Sequence, residues 1–272
     1  MNKTKIDWCD STWNPVTGCL HGCEYCYARS IAKRFGCHAT PDDKISVVIH
    51  PWEDSETGRK LPYPYDFIPT FHKYHLNDYI GKKGRNIFVC SMADLFGDWV
   101  PDNWIEEVFK ACDKAPQHNY LFLTKNPGCY CDLYRSGMLP DKDNMWFGAT
   151  YDHSNWSNHK IEGRPATFSL NGKMLHDAGD YYFPMFPEKR RFVSMEPLLY
   201  DIGEKIGSIG ADWVIIGAET GRRKDKIIPK REWIERIVYD CYVNNIPVFM
   251  KESLADIWGK PLIQEFPKGL KR

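Results

Sequence analysis

The sequence lacks any long hydrophobic run and any surplus of charge of one sign. No apolar stretch approaches the roughly 20 residues of a membrane-spanning helix, and the polar first residues have no apolar segment behind them. We therefore expect a cytoplasmic protein that has neither a signal peptide nor a membrane anchor. The 36 basic and 36 acidic residues balance, which gives no support to a protein that holds nucleic acid mainly through phosphates.

The sequence also has no linker and no internal repeat. A chain of 272 residues fits one large α/β domain, and we expect a single domain over 1–272. An aromatic-rich insertion at about 37–84, interrupted by prolines, and a loop at about 152–190 are expected to be irregular. The aromatic residues of the insertion either line a substrate entrance or pack the segment onto the domain, and we favour packing.

Short apolar segments alternate with helical segments along the rest of the chain. Helices are predicted at 27–35, 102–115 and 231–244. Strands are predicted, in chain order, at 11–14, 86–90, 120–123, 145–149, 191–195, 212–217 and 247–250. Continuous apolar strands that alternate with helices are typical of a parallel sheet covered on both faces. The sequence therefore predicts an α/β fold, a partial (β/α) TIM-like barrel with six or seven parallel strands.

Three of the ten cysteines form a tight group. Cys19, Cys23 and Cys26 have C-x3-C-x2-C spacing within the stretch Gly18–Tyr27. Thiolates are soft ligands for transition metals, and [4Fe-4S] clusters take cysteines from such short runs. A cubane has four irons and this run supplies three thiolates, so one metal position is left for a ligand that is not protein. An open position is typical of a catalytic centre rather than a structural one.

A non-enzymatic metalloprotein is the alternative. It would be either a zinc-stapled binding module, with Cys9 or Cys37 as the fourth ligand, or an iron–sulfur electron carrier. Structural zinc usually recruits two separated ligand pairs, which disfavours the first of these. Cys129 and Cys131 either join Cys9 or Cys37 in an auxiliary cluster or are ordinary reduced thiols, which we favour. The remaining three cysteines lie on apolar faces and are predicted to be core: Cys90, Cys112 and Cys241.

The cysteine run, with Tyr25 just before its last cysteine, resembles the signature of the radical S-adenosylmethionine (radical SAM) superfamily. The preceding segment 12–18 and four strand-end segments resemble one branch of it, namely phage-associated proteins of unassigned reaction, distantly similar to spore photoproduct lyase. These segments are 91–96, 123–125, 194–199 and 216–219.

The resemblance implies a cofactor set and a reaction. Cys19, Cys23 and Cys26 would hold a [4Fe-4S] cluster, and the fourth iron would bind the amino and carboxylate groups of S-adenosyl-L-methionine (SAM). An external one-electron donor of the flavodoxin or ferredoxin type would drive cleavage of SAM to a 5′-deoxyadenosyl radical, which abstracts hydrogen from an unidentified substrate. A nucleobase or nucleic acid is compatible with the distant likeness to the lyase, although the balanced charge does not support it.

Polar residues follow each predicted strand, where parallel barrels collect functional side chains. SAM presents an ammonium, a carboxylate, a sulfonium and ribose hydroxyls, which require carboxylates, lysines and hydroxyls. The Gly-Gly-Glu run of many radical SAM proteins is absent after Cys90, and Ser91 and Asp94 are expected to replace it. The candidate cofactor-binding residues are Tyr25, Ser91, Asp94, Thr124, Lys125, Thr150, Ser194, Glu196, Gly217 and Glu219.

For each strand-end residue a structural role is the alternative, as a helix cap or a hydrogen bond at the rim of the barrel. Small hydroxyl residues are frequent caps, so this alternative is strongest for Ser91, Thr124 and Ser194. Glu196 lies directly after a predicted buried strand, and a carboxylate there needs a partner. No catalytic residue can be named from the sequence.

Overall fold

The computed structural model describes residues 4–41, 43–151, 190–202, 206–221 and 223–270. The chain divides into two compact units, Met1–Thr124 and Lys125–Arg272. The expectation of a single domain over 1–272 stays a prediction. The loop expected at 152–190 lies outside the described residues, apart from Arg190.

The first unit contains three parallel strands, a separate three-stranded sheet and a two-stranded sheet. Its elements, in chain order, are β1 (Ser11–Trp13), β2 (Val16–Thr17), α1 (Tyr27–Phe35), β3 (Ser46–Val48), β4 (Trp52–Glu53), β5 (Lys60–Leu61), β6 (Thr70–His72), a 3₁₀ helix (Lys73–His75), β7 (Asn86–Val89), α2 (Asp102–Asp113) and β8 (Asn119–Thr124). Strand β7 lies between β1 and β8 and is parallel to both. All four of its residues are buried, as expected for a strand covered on both faces.

The segment 37–84 has more regular structure than the sequence predicts. Strand β6 pairs antiparallel with β2 and parallel with β3, and β4 pairs with β5. Phe71 of β6 is fully buried and stacks on Trp104 of α2, with ring centroids 5.2 Å apart. Phe67 and Tyr79 are also buried. The packing interpretation is therefore confirmed for these three aromatic residues.

The second unit continues the alternation of strands and helices. Its elements are α3 (Gly128–Arg135), β9 (Met145–Thr150), β10 (Arg190–Met195), α4 (Ile206–Ile209), β11 (Trp213–Ile216), α5 (Arg231–Val243), β12 (Val248–Met250), a second 3₁₀ helix (Glu252–Leu254) and α6 (Ala255–Trp258). Strands β9 to β12 pair in chain order and are all parallel. Helix α5 buries Ile234, Ile237 and Cys241, its apolar side.

The seven predicted strands are all present, three in the first unit and four in the second, and each end lies within one residue of the prediction. The three predicted helices are confirmed as α1, α2 and α5. Cys90, Cys112 and Cys241 are buried, as predicted for core residues. Within the described ranges no helix is long and apolar enough to cross a membrane.

Candidate functional site

The three cysteines lie in the loop between β2 and α1, next to the loop that follows β7. The Gly18 N–H donates to Met92 O at 2.9 Å, and the Cys19 N–H donates to Phe67 O at 3.1 Å. Gly18 has φ of +84°, and a Cβ there would run into the backbone of Phe67 and Ile68. Only glycine fits such a position, so Gly18 lets the chain enter the cysteine loop against this backbone.

Cys26 forms the N-cap of α1. Its Sγ accepts a hydrogen bond from the Arg29 N–H at 3.3 Å, and its own N–H donates to Cys23 O at 3.2 Å. The positive end of a helix stabilises a thiolate. Cys26 and Cys19 both pack on a small apolar cluster, which excludes water from one side of the loop. The cluster consists of Ala28, Ala32, Phe67 and Met92.

The sulfur atoms of the three cysteines are electrostatic neighbours. Burial raises the pKa of the Cys19 thiol, and the negative charges of Asp94, Cys23 and Cys26 raise this pKa further. Thiolates that disfavour one another in this way are stabilised when metal cations share their site. The residues present therefore fit a cationic group held by all three cysteines.

A cluster and a single metal ion require different arrangements of the three sulfur atoms. In the described part of the chain, no three His, Cys, Asp or Glu side chains are grouped so as to hold one ion. In a cubane each cysteine ligates a different iron, so the three sulfurs need not converge on one point. The fourth ligands considered for zinc have other contacts, since Cys37 Sγ donates to Pro64 O at 2.8 Å and Cys9 is buried with Sγ 3.9 Å from Ile6 O.

A buried hydrogen-bond chain ties the cysteine loop to the ends of β7 and β8. Asp94 Oδ2 lies 2.7 Å from His21 Nε2, and Asp94 Oδ1 accepts from the Thr124 hydroxyl at 2.7 Å and from the Phe96 N–H at 3.0 Å. The side chains of His21 and Asp94 are only 10% and 7% exposed. The predicted residues Asp94 and Thr124 are thus in direct contact, and Asp94 also binds His21, a histidine that the sequence analysis did not single out.

Ser91 makes a hydrogen bond at the rim of the sheet. Its hydroxyl donates to Asn14 Oδ1 at 3.1 Å, and the same oxygen accepts from the Met92 N–H at 3.1 Å. The Tyr27 hydroxyl donates to Ser91 O at 2.9 Å. This geometry is that of the structural alternative for Ser91, and its contact with SAM stays a prediction. Tyr25 is half-buried within the cysteine loop.

Arg29 is a second residue of this site that the sequence analysis missed. Its Nη2 donates to Cys19 O at 3.3 Å, and its guanidinium lies 4.9 Å from the centre of the Phe67 ring. One side chain of α1 thus fixes the backbone at the start of the cysteine loop. The position of Arg29, three residues after Cys26, is a signal that could have been noticed.

In the second unit, three candidates meet at the ends of β10, β11 and β12. The Ser194 hydroxyl donates to Glu196 Oε2 at 3.0 Å, and Lys251 Nζ lies 2.6 Å from Glu196 Oε1. A Cβ on Gly217 would lie 3.0 Å from Lys251 Cδ and 3.3 Å from Glu196 Cγ. The partner that the Glu196 carboxylate requires is therefore Lys251.

Glu219 is held by a bidentate ion pair. Arg223 Nε and Nη2 lie 2.7 Å from its two carboxylate oxygens, and hydrogen bonding to Arg223 lowers the pKa of Glu219. The spacing of four residues between the pair was a readable signal. Thr150 is buried at the end of β9, and Lys125 is half-buried directly after β8. Asp94 and Thr124 thus meet in the first unit, and Ser194, Glu196 and Gly217 meet in the second. The convergence of all the candidates on one basin stays a prediction.

A cavity of about 310 Å³ also lies in the first unit. Its polar lining includes His72, whose Nε2 lies 2.8 Å from Thr17 Oγ1 and whose Nδ1 lies 3.2 Å from the Tyr74 hydroxyl. Burial, together with the nearby His75, lowers the pKa of His72 to about 3, so its imidazole is neutral near pH 7. Asn14 also lines the cavity, which therefore adjoins the loop carrying Ser91. The full lining is Thr12, Trp13, Asn14, Thr17, Pro62, Tyr63, His72, His75, Asp78, Tyr79 and Lys82.

Comparison with known families gives one match that spans most of the sequence. The model of the family described as "Protein of unknown function (DUF5131)" matches residues 3–167 and 181–262. The chain belongs to the DUF5131 family. Comparison with curated proteins found no match.

The DUF5131 chain also has a fold similar to a solved structure, "Spore photoproduct lyase complexed with dinucleoside spore photoproduct". The TM-score is 0.53 at 10% sequence identity, and the likeness covers 92% of this chain and 78% of that one. At this identity the likeness shows the fold alone. The predicted α/β fold, a partial (β/α) TIM-like barrel with six or seven parallel strands, is confirmed.

Proposed function

We propose that this DUF5131 protein is a radical SAM enzyme. Cys19, Cys23 and Cys26 hold a [4Fe-4S] cluster, and SAM binds its fourth iron. The observation that carries the proposal is the cysteine loop between β2 and α1, in which the Cys19 thiol interacts electrostatically with Cys23 and Cys26. The likeness of fold to spore photoproduct lyase supports the same assignment.

The residues of the first unit hold and shield the cofactor site. When bound, the cluster and SAM would supply two steps. These are the reductive cleavage of SAM to a 5′-deoxyadenosyl radical and the removal of a hydrogen atom from the substrate. Gly18 and Arg29 fix the backbone on either side of Cys19, and Phe67 and Met92 keep water from its sulfur. The pair of His21 and Asp94 holds the middle of the loop against β7. The chain's part is thus to position reactive groups and exclude water.

Among the three carboxylates proposed to bind SAM, Glu196 is the most accessible. Its side chain is 17% exposed, against 7% for Asp94 and 2% for Glu219. Asp94 is occupied in holding the cysteine loop and Glu219 in its pair with Arg223. We therefore assign the SAM ribose hydroxyls to Glu196 and the SAM carboxylate to Lys251, and charge-assisted hydrogen bonds would hold both groups.

The substrate is not assigned to one compound. A nucleobase or nucleic acid is the class that the fold likeness favours, since the lyase of similar fold is complexed with a dinucleoside spore photoproduct. The electron would come from an external donor of the flavodoxin or ferredoxin type.

The experiment is anaerobic reconstitution with iron and sulfide, followed by incubation with SAM and dithionite. We expect about four irons and four sulfides per chain, and 5′-deoxyadenosine as a product. The Cys23→Ala variant should lose both. Cys37→Ala is the matched control and should retain both, because Cys37 lies outside the run and contacts Pro64 instead.

Two outcomes favour the non-enzymatic alternatives. Zinc without sulfide in the anaerobically purified protein, lost from the Cys23→Ala variant, indicates a zinc-stapled binding module with Cys9 or Cys37 as the fourth ligand. A complete cluster whose electron paramagnetic resonance spectrum does not respond to SAM indicates an electron carrier. Either result contradicts the proposed enzyme.

A further inference from the structure

Helix α1 carries an apolar stripe on its exposed side. Tyr27, Ile31 and Phe35 recur every four residues and are 50%, 37% and 37% exposed. The helix buries Ala28 and Ala32 instead, two small residues on the neighbouring face, about 80° around the helix from the stripe. A surface helix normally turns its large apolar residues toward the core, so a stripe of three that stays exposed indicates an interaction face.

The stripe begins at the cysteine loop. Tyr27 directly follows Cys26, and its hydroxyl is anchored on Ser91 O at 2.9 Å. Leu20, inside the loop, is 45% exposed. A nine-residue helix is only about 13 Å long at 1.5 Å per residue. A partner that covers the stripe would therefore contact the loop proposed to hold the cluster.

The border of the stripe is basic. Helix α1 contains Arg29, Lys33 and Arg34 and no acidic residue. Two guanidinium groups flank the far end of the stripe, since Arg34 and Arg59 lie 5.2 Å and 5.9 Å from the centre of the Phe35 ring. In a chain with a formal net charge of zero, this local surplus selects for carboxylates on the partner.

We propose that this surface, made of Tyr27, Ile31 and Phe35 with Arg34 and Arg59, is the docking site of the one-electron donor. The donor is an acidic redox protein whose carboxylates surround an apolar area over its redox group, as in the flavodoxin and ferredoxin classes. The inference rests on the proposed function and names the partner of the same site. In the step, the reduced donor loses one electron and the cluster behind Cys26 gains it, and no bond or proton is exchanged.

The apolar stripe and the arginines contribute to docking in different ways, which can be measured separately. Burial of the stripe stabilises the complex, because it removes apolar surface from water. The arginines speed the encounter with an acidic partner, and this effect weakens as salt screens the charges. Loss of the arginines should therefore act on the association rate at low salt, and loss of Ile31 should act at every salt concentration.

The test measures cluster reduction in the reconstituted holoenzyme by stopped-flow absorbance, with a reduced flavodoxin and a reduced ferredoxin as probes. Arg34→Glu with Arg59→Glu should slow reduction by at least one of them about tenfold at low salt, and much less at high salt. Ile31→Asp should slow cluster reduction at both low and high salt. Lys224→Glu with Lys268→Glu, which reverses two exposed lysines of the second unit, changes the net charge equally and should have no effect.

Reduction by dithionite in place of a protein donor tests the proposed function independently of the docking site. Every variant should keep its iron, its sulfide and its dithionite-driven yield of 5′-deoxyadenosine, because no substituted residue contacts the cysteines. Normal values with unchanged reduction by both protein donors would overturn the docking site alone. If the stripe is instead an interface between two copies of the chain, Ile31→Asp will dissociate a dimer in sedimentation, which also overturns it. Failure of the wild-type protein to assemble a cluster overturns both proposals.

Discussion

Gly18 and Gly22 lie in the same loop and have similar backbone angles but different surroundings. Their φ values are +84° and +74°. A Cβ on Gly18 would collide with the backbone of Phe67 and Ile68, whereas a Cβ on Gly22 would meet nothing within 4 Å. The two positions therefore separate the intrinsic cost of a left-handed residue from the cost of displaced neighbours.

We expect Gly22→Ala to lower the free energy of unfolding by about 1–2 kcal/mol, the cost of a left-handed alanine. Gly18→Ala should lower it by at least about 2 kcal/mol more, because the backbone must move to admit the methyl group. Gly18→Ala should also lower the iron content after reconstitution. Urea unfolding measures the first effect and iron analysis the second. Equal losses in the two variants would show that Gly18 is not constrained by its neighbours.

Individual site residues could be predicted only where the signal is local. The cysteine spacing and the position of Glu196, directly after a buried strand, can be read within a few residues of sequence. The partner of Asp94 could not, because His21 lies 73 positions away and only folding brings the two together. Arg223 is a different case, since it follows Glu219 by four residues and was overlooked. Distance along the chain therefore limited the prediction of contacts more than residue type did.

The elements that the sequence missed are those with the weakest local patterns. Strands β2, β4 and β5 have two residues each, too few to show the alternation that marks a strand. Helix α3 begins at Gly128, directly after Pro127, and glycine is a poor helix former. The seven predicted parallel strands and helices α1, α2 and α5 have stronger apolar patterns. Length alone does not separate the two groups, because the missed strands β3 and β6 have three residues each, as the predicted strands β1 and β12 do.

His72 links strand β6 to its surroundings, and its imidazole is neutral in the folded chain near pH 7. The side chain is buried and bonds to Thr17 of β2 and to Tyr74. Its pKa falls from 6.5 to about 3, first because of burial and second because of His75. Below pH 6.5 the unfolded chain therefore binds a proton at this position that the folded chain does not.

The sign of the resulting pH dependence follows from linkage. Stability should fall as the pH is lowered from 6.5 toward 3, and His72 should contribute at most about 1.4 kcal/mol per pH unit. His72→Gln should remove this part of the slope between pH 7 and pH 5, measured by urea unfolding. His38→Gln is the control, because His38 is 68% exposed. An unchanged slope in His72→Gln would mean that another group determines the acid sensitivity of this segment.

At the scale of the whole molecule, the pattern of alternating strands and helices was sufficient to predict the fold class. It was sufficient because most of these strands contain a run of consecutive apolar residues and the predicted helices have one apolar side. The fold class can therefore be recognised from short segments of sequence. The number of domains is not local in this sense. The first unit has three parallel strands and the second has four, and whether they unfold together depends on contacts that no single segment encodes.

The prediction of one domain has a calorimetric consequence. Unfolding enthalpy is about 0.7 kcal/mol per residue near 60 °C, so 272 residues that unfold together should give a van't Hoff enthalpy of about 190 kcal/mol. Units of 124 and 148 residues that unfold separately should give about 90 and 100 kcal/mol. We expect a single transition whose van't Hoff and calorimetric enthalpies agree, because small parallel sheets need cover on both faces. A van't Hoff enthalpy near half of the calorimetric value would instead establish two independent domains.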